Sequence, residues 1–243
     1  MKIRLTIEYE GTNYQGWQSQ NNGQTIQEKI EETLEKILKN KVSLMGASRT
    51  DSGVHARGQV AHFECFPTSP NINFVLALNS LLPRDIRVHD ATKVSDDFHA
   101  QFNAQSKTYA YYILNRALPS AVSRNFCYWV PDKLDISLMQ LASALLRGVH
   151  DFKSFQGSKS SVKSTVREVY ECGWYEEGEF IVFRIKAKGF LKHMIRNIVG
   201  TLLEIGRGRF SLVEFQDILD AQDRTRAGPT APPQGLFLER IAY

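Results

Sequence analysis

The pattern of apolar residues predicts one order of segments twice, and this repetition limits the possible folds more than any other feature. Residues 2–9 alternate apolar and polar side chains, which is typical of a half-buried strand. Helix and strand patterns then follow in the order helix, strand, strand, helix, strand, over residues 26–38, 42–45, 59–66, 70–82 and 86–94. The first half therefore reads β-α-β-β-α-β.

The second half repeats this order. Strand patterns cover residues 107–114, 166–175, 180–187 and 236–241, and helical patterns cover residues 137–146 and 191–205. Ser137 is placed to cap the first of these helices, and Ser211 to Glu214 form a capping box for one more.

Two such halves predict an α+β protein made of two ferredoxin-like domains, residues 1–105 and residues 106–243. We expect their antiparallel sheets to join edge to edge, because joining hides open strand edges. We also expect a central cleft between the halves, since ligands usually bind at domain junctions.

Composition excludes several classes of protein. Of the 243 residues, 42% are hydrophobic and 23% are charged, which suits a soluble globular chain. No apolar run approaches the length of about 18 residues that a membrane span needs, and the N-terminus lacks a signal-peptide pattern. Cys65, Cys127 and Cys172 are scattered, which favours the reducing cytoplasm. Metal, phosphate-loop and dinucleotide motifs are missing, so we expect no metal and no cofactor.

Gly46–Gln59 is the most unusual segment, with three glycines, two arginines, an aspartate and a histidine between two predicted strands. One interpretation is a long turn in which Gly53 supplies a positive φ. The other is a functional loop, because long loops in compact domains tend to carry function. Asp51 would then be a nucleophile, a general base or a metal ligand.

Positive charge is concentrated in the second half, although the net charge is only +4. Residues 184–209 contain seven basic side chains and one acid, Glu204, and residues 152–167 contain four basic side chains and no acid. These clusters favour a surface that binds phosphates over a merely solvated one.

Arg196 lies beside an apolar helical stripe, so we expect its side chain to be partly buried and paired with the carboxylate of a catalytic aspartate. The alternatives are that Arg196 pairs with Glu204 or faces solvent. Tyr109 either packs in the core or stacks on a nucleobase.

Residues 46–63, GASRTDSGVHARGQVAHF, closely resemble the signature of the tRNA pseudouridine synthase A family. Further blocks resemble the same family in the same order, from the first strand to the last: residues 9–18, 97–100, the strand that contains Tyr109, and residues 150–155, 193–200 and 227–232.

The resemblance implies the two-domain pseudouridine synthase fold and the isomerisation of uridine to pseudouridine on the 3′ side of the tRNA anticodon stem-loop, positions 38–40, without metal or cofactor. It implies that Asp51 is the catalytic carboxylate, Arg196 its ion-pair partner and Tyr109 the ring beneath the target base. It also implies a cytoplasmic homodimer that binds tRNA, with Arg49 either supporting the extruded nucleotide or filling the gap that the nucleotide leaves. We expect further RNA contacts from His55, Arg57, Lys159, Lys163, Lys188 and Lys192.

Three positions depart from the family pattern. Ser52 stands where alanine is usual, Gln101 where arginine is commoner, and Lys192 where histidine is commoner. The last two positions face RNA in the implied arrangement and so bear on site range rather than on chemistry. The rival interpretations are a non-catalytic RNA-binding module and a metal-dependent nuclease or nucleotidyl enzyme that uses Asp51.

Overall fold

The computed structural model describes residues 1–20, 23–65, 72–158 and 162–243. Lys159 lies outside the described residues, as do residue 66, where a predicted strand ends, and residue 70, where a predicted helix begins.

The chain divides into two compact units. One consists of Met1–Gln105 together with Phe237–Tyr243, and the other consists of Ser106–Leu236. The last seven residues, which the sequence places in the second domain, group with the first unit.

The first unit contains β-α-β-β-α-β in the predicted order. Its elements are β1 (Lys2–Tyr9), α1 (Ile26–Leu38), β2 (Met45–Gly46), β3 (His55–Glu64), α2 (Phe74–Leu81) and β4 (Ile86–Val94). Strand β1 lies between β3 and β4 and is antiparallel to both, while β2 pairs antiparallel with β3. The final strand β10 (Leu236–Ala242) adds to this sheet parallel to β3, with Phe237 opposite His55.

The alternation that predicts β1 corresponds to burial, because Ile3, Leu5 and Ile7 are each at most 4% exposed. Helix α1 is capped by Thr25, whose side chain accepts a hydrogen bond from the backbone N–H of Glu28.

The second unit is also α+β. Its elements are β5 (Ser106–Leu114), β6 (Tyr128–Trp129), α3 (Ile136–Ala144), β7 (Gly148–Asp151), β8 (Val166–Glu177), β9 (Phe180–Ala187), α4 (Met194–Gly206) and α5 (Leu212–Asp220). The sheet order is β5-β9-β8-β7 with antiparallel neighbours, and β6 pairs parallel with β5. Strands β6 and β7 are not predicted, because two and four residues are too few to establish a period.

Two helix starts in the second unit test the capping patterns. The cap of α3 is Asp135, whose Oδ1 accepts the Leu138 N–H at 2.9 Å, so the prediction of Ser137 is wrong. Both residue types are good caps, and the spacing alone does not choose between them. At α5 the predicted capping box of Ser211 and Glu214 is confirmed, with both reciprocal hydrogen bonds present.

Helix α4 is buried on nearly every side and positions Arg196. Met194, Ile198 and Leu202 are fully buried, and the helix contacts α3 and α5. It begins after His193, whose φ of 58° lies in the left-handed region and breaks the helical pattern that residues 191–193 continue in the sequence. Among the helices of the described residues, none has both the length and the apolar character to cross a membrane.

Candidate functional site

Asp51 opens a tight turn between β2 and β3. Its carbonyl oxygen accepts the Val54 N–H at 3.1 Å, and Gly53, at the third position of the turn, has a φ of 77° that favours glycine. The side chain of Asp51 is neither fully buried nor fully exposed. The turn therefore gives this carboxylate a defined backbone frame at the start of β3.

The residues on both sides of Asp51 are held by the last residue of β1 and by the segment that follows this strand. The hydroxyls of Tyr9 and Thr50 are 2.7 Å apart and hydrogen-bonded, and the Trp17 N–H donates to the Thr50 carbonyl oxygen at 3.1 Å. The Ser52 hydroxyl donates to the Tyr14 carbonyl oxygen at 3.1 Å. Because both neighbours of Asp51 are held, the carboxylate is restricted to a small region.

His55 is a structural residue in this arrangement. It is 1% exposed, its Nδ1 accepts the Gly11 N–H at 3.0 Å, and its ring stacks on Phe237 with centroids 4.6 Å apart. His55 therefore presents almost no surface to solvent, and its predicted contact to RNA stays a prediction.

Arg49 and Arg57 are exposed in the first unit. Arg57 is ion-paired to Glu239, with 2.9 Å between Nη1 and Oε1, and its guanidinium lies 4.8 Å from the centroid of the Phe237 ring. An RNA phosphate would therefore compete with Glu239 for Arg57, whereas no described carboxylate is ion-paired with Arg49.

The tyrosines of β5 differ in their surroundings. Tyr109 is 5% exposed, and its ring meets Phe190 edge to face with centroids 5.2 Å apart. Tyr111 is fully buried and donates its hydroxyl hydrogen to the Pro232 carbonyl oxygen at 2.7 Å. Burial raises the pKa of Tyr111 well above its usual value, so this phenol remains a neutral donor. Tyr111 is thus accounted for by the core.

Arg196 lies in the first turn of α4 and is partly buried, as predicted. Its Nε donates to the Ala231 carbonyl oxygen at 2.8 Å, and the Ala231 N–H donates to the Arg196 carbonyl oxygen at 3.0 Å. The alternative partner Glu204 instead pairs with Arg207 and Arg209, at 2.7 and 2.9 Å.

Much of the predicted positive cluster is neutralised. Arg184 pairs with Glu177, and Lys186 pairs with Glu171 at 3.0 Å. These acids lie on β8, outside the window that the sequence count covers, and cross-strand pairing brings them to the basic side chains. The predicted contact lysines that the structure describes are exposed: Lys163, Lys188 and Lys192.

Asn197 is a functional candidate that sequence reasoning does not identify. It is fully buried within α4, next to Arg196, and its side chain makes three hydrogen bonds. An asparagine inside an apolar helical stripe is a usable signal, because a buried amide requires partners.

Within the part of the chain that the structure describes, no group of three or more histidine, cysteine, aspartate or glutamate side chains is arranged to hold a metal ion.

Known proteins are similar to this chain over nearly its whole length. Residues 5–103 and 142–243 match a family described as tRNA pseudouridine synthase. The tRNA pseudouridine synthase A 2 of Clostridium perfringens is 46% identical over 241 residues, which cover 99% of each chain. The tRNA pseudouridine synthase A of Thermoanaerobacter sp. strain X514 has the same identity and coverage. That of Ruminiclostridium cellulolyticum is 46% identical over 243 residues, covering 100% of this chain and 99% of the relative.

Proposed function

Because the chain belongs to the tRNA pseudouridine synthase family, we propose that it isomerises uridine to pseudouridine on the 3′ side of the tRNA anticodon stem-loop, at positions 38–40. The proposal assigns the catalytic carboxylate to Asp51 and requires neither metal nor organic cofactor. The observation that carries it is the turn at Asp51, whose flanking residues are both hydrogen-bonded to the segment after β1.

The reaction breaks the bond between N1 of uracil and C1′ of ribose and forms a bond from C5 to the same carbon. The proton on C5 leaves, and N1 gains a proton, so the product has the same composition as the substrate. No electrons are gained or lost, which is why no redox cofactor is needed. Asp51 could attack C1′, abstract the 2′ proton or add to the uracil ring, and each role needs an ionised carboxylate.

A stacked uracil is inaccessible to a carboxylate, so the nucleotide must be extruded, which costs a few kcal/mol. In the proposal, the ring of Tyr109 stacks beneath the extruded base and offsets part of this cost. The edge contact between Phe190 and Tyr109 supports this role, since it fixes the plane of the tyrosine ring.

Arg196 is proposed as the partner that favours the ionised form of Asp51. The hydrogen bond from its Nε to Ala231 supports this role, because it fixes the orientation of the planar guanidinium.

Exposed basic side chains would bind the phosphates of the tRNA. The proposed contacts are Arg49, Arg57, Lys163, Lys188 and Lys192, with Lys159 among them although it lies outside the described residues. We further propose that the protein acts in the cytoplasm as a homodimer, as the resemblance implies.

Tritium release from tRNA labelled at C5 of uridine tests the proposed reaction and its position. We expect the purified protein, after treatment with a chelator, to release tritium from transcripts that retain uridine at position 38, 39 or 40. A matched transcript with cytidine at all three positions should release none.

Release from that matched transcript would contradict the proposed position. Binding of tRNA without release from any transcript would instead indicate a non-catalytic RNA-binding module, and activity lost on chelation would contradict independence from metal.

A further inference from the structure

The amide of Asn197 connects three separate segments in the second unit. Its Nδ2 donates to the Phe155 carbonyl oxygen at 2.8 Å. Its Oδ1 accepts from the Thr230 hydroxyl at 2.6 Å and from Nη2 of Arg224 at 3.1 Å. Asn197 is fully buried, so its amide needs these partners, and losing them would leave a buried polar group unsatisfied.

The segment of residues 227–232, here called the strap, lies directly on α4. The Gly228 N–H donates to the Thr201 hydroxyl oxygen at 3.0 Å. The carbonyl oxygen and the N–H of Ala231 both form hydrogen bonds with Arg196, as described above. Thr230 precedes Ala231, so the bond from Thr230 to Asn197 fixes the strap immediately before the carbonyl group that orients Arg196.

We propose that Asn197 and Thr230 are positioning residues, which hold the strap so that the Ala231 carbonyl group aims the Arg196 guanidinium. This inference rests on the proposed function, in which that guanidinium faces the catalytic carboxylate. Neither residue is required to touch the substrate, and each acts through Arg196.

The effect should fall on the rate rather than on tRNA affinity. Catalytic geometry is sensitive to displacements of about 1 Å, whereas binding of tRNA depends on many phosphate contacts. If the Thr230 hydroxyl is removed, the strap loses its link to Asn197, and we expect the Ala231 carbonyl group to be held less firmly relative to Arg196.

The variant Thr230→Val tests this inference without opening the core. Asn197 is unsuitable, because truncating a fully buried amide with three partners would disrupt the surrounding segments. Thr230 is an exposed residue, and valine keeps its branched shape. Thr230→Ser restores the hydroxyl, and Thr225→Val is the matched control, since the Thr225 hydroxyl donates to Asp223 rather than to Asn197.

We expect Thr230→Val to form pseudouridine about tenfold more slowly under single-turnover conditions, with its Kd for tRNA unchanged within about twofold. Thr230→Ser and Thr225→Val should match the unaltered protein. A Thr230→Val protein with full activity, or one whose entire loss is weaker tRNA binding, would overturn the inference.

A second measurement separates this inference from the proposed function. Exchange of the Arg196 Nε proton with water can be followed by NMR, with the resonance assigned by its loss in Arg196→Lys. We expect faster exchange in Thr230→Val than in Thr225→Val, whether or not the protein modifies tRNA. Equal exchange rates would contradict the positioning role, while absence of pseudouridine with the unaltered protein would contradict the proposed function alone.

Discussion

At the scale of single residues, burial keeps the imidazole of His62 in its neutral form. His62 is 4% exposed, and its Nδ1 accepts the Ala100 N–H at 3.1 Å. Burial, followed by the nearby His99 and Lys2, lowers the pKa of His62 to about 4. The neutral ring is therefore part of the folded structure of the first unit.

This state predicts a pH-dependent stability with a definite sign. In the unfolded chain His62 titrates near 6.5, so the unfolded state binds more protons between that pH and about 4. The stabilisation is complete above pH 6.5 and falls by up to about 3 kcal/mol as the pH drops through 4. His62→Asn keeps an acceptor that does not titrate. Urea unfolding between pH 8 and 4 should show a shallower pH dependence for this variant, and identical slopes would exclude His62 as the cause.

At the scale of elements, α4 and the strap depend on a close approach that only glycine permits. A Cβ at Gly200 would lie 1.7 Å from the Pro229 carbonyl oxygen, so the two backbones touch at this point. Helical periodicity predicts α4 but cannot show this approach, because the partner is an irregular segment about thirty residues later in the chain. The same periodicity places the helix start at residue 191, since a left-handed residue such as His193 leaves no mark in it.

Gly200→Ala tests the close approach, because the clash of the new methyl group with the strap and the higher helix propensity of alanine change the stability in opposite directions. In an exposed helix this change would stabilise the protein by about 1 kcal/mol. Here the strap must move, and we expect destabilisation of about 1–3 kcal/mol together with slower pseudouridine formation. Thermal unfolding checks the sign. Gly189→Ala is the control, because a Cβ there meets no described atom within 4 Å, and an equally stable Gly200→Ala protein would refute the close approach.

At the scale of the whole molecule, the fold decides which charges remain available for RNA. A count along the sequence finds one acid among residues 184–209, yet acids distant in the chain reach this region. Arg207, for example, is 2.8 Å from a carboxylate oxygen of Asp132.

The α+β class and the order of segments could be predicted because periodicity is local, whereas the ion pairs and the contacts of the strap could not, because they join distant segments. The loop at Asp51 stands out in the sequence by its composition, whereas the specific role of Asp51 follows only from the family resemblance, because several chemistries fit a lone aspartate.

Salt dependence of tRNA binding distinguishes the available charges from the paired ones. Lys188 makes no ion pair with a described residue, while Lys186 pairs with Glu171 at 3.0 Å. We expect Lys188→Gln to reduce the slope of log K against log salt by about 0.9, and Lys186→Gln to change it much less. Filter binding over a series of salt concentrations measures both slopes, and equal changes would show that the ion pair does not restrain Lys186.

Tritium release by Asp51→Asn tests the assignment of the catalytic carboxylate most directly. The control is Asp90→Asn, which removes the same charge from the ion pair with Arg4 in the first unit. We expect Asp51→Asn to lose at least about a thousandfold in rate while binding tRNA within about threefold of the unaltered protein, and Asp90→Asn to remain active. An Asp51→Asn protein that releases tritium at a rate close to that of the control would contradict the assignment.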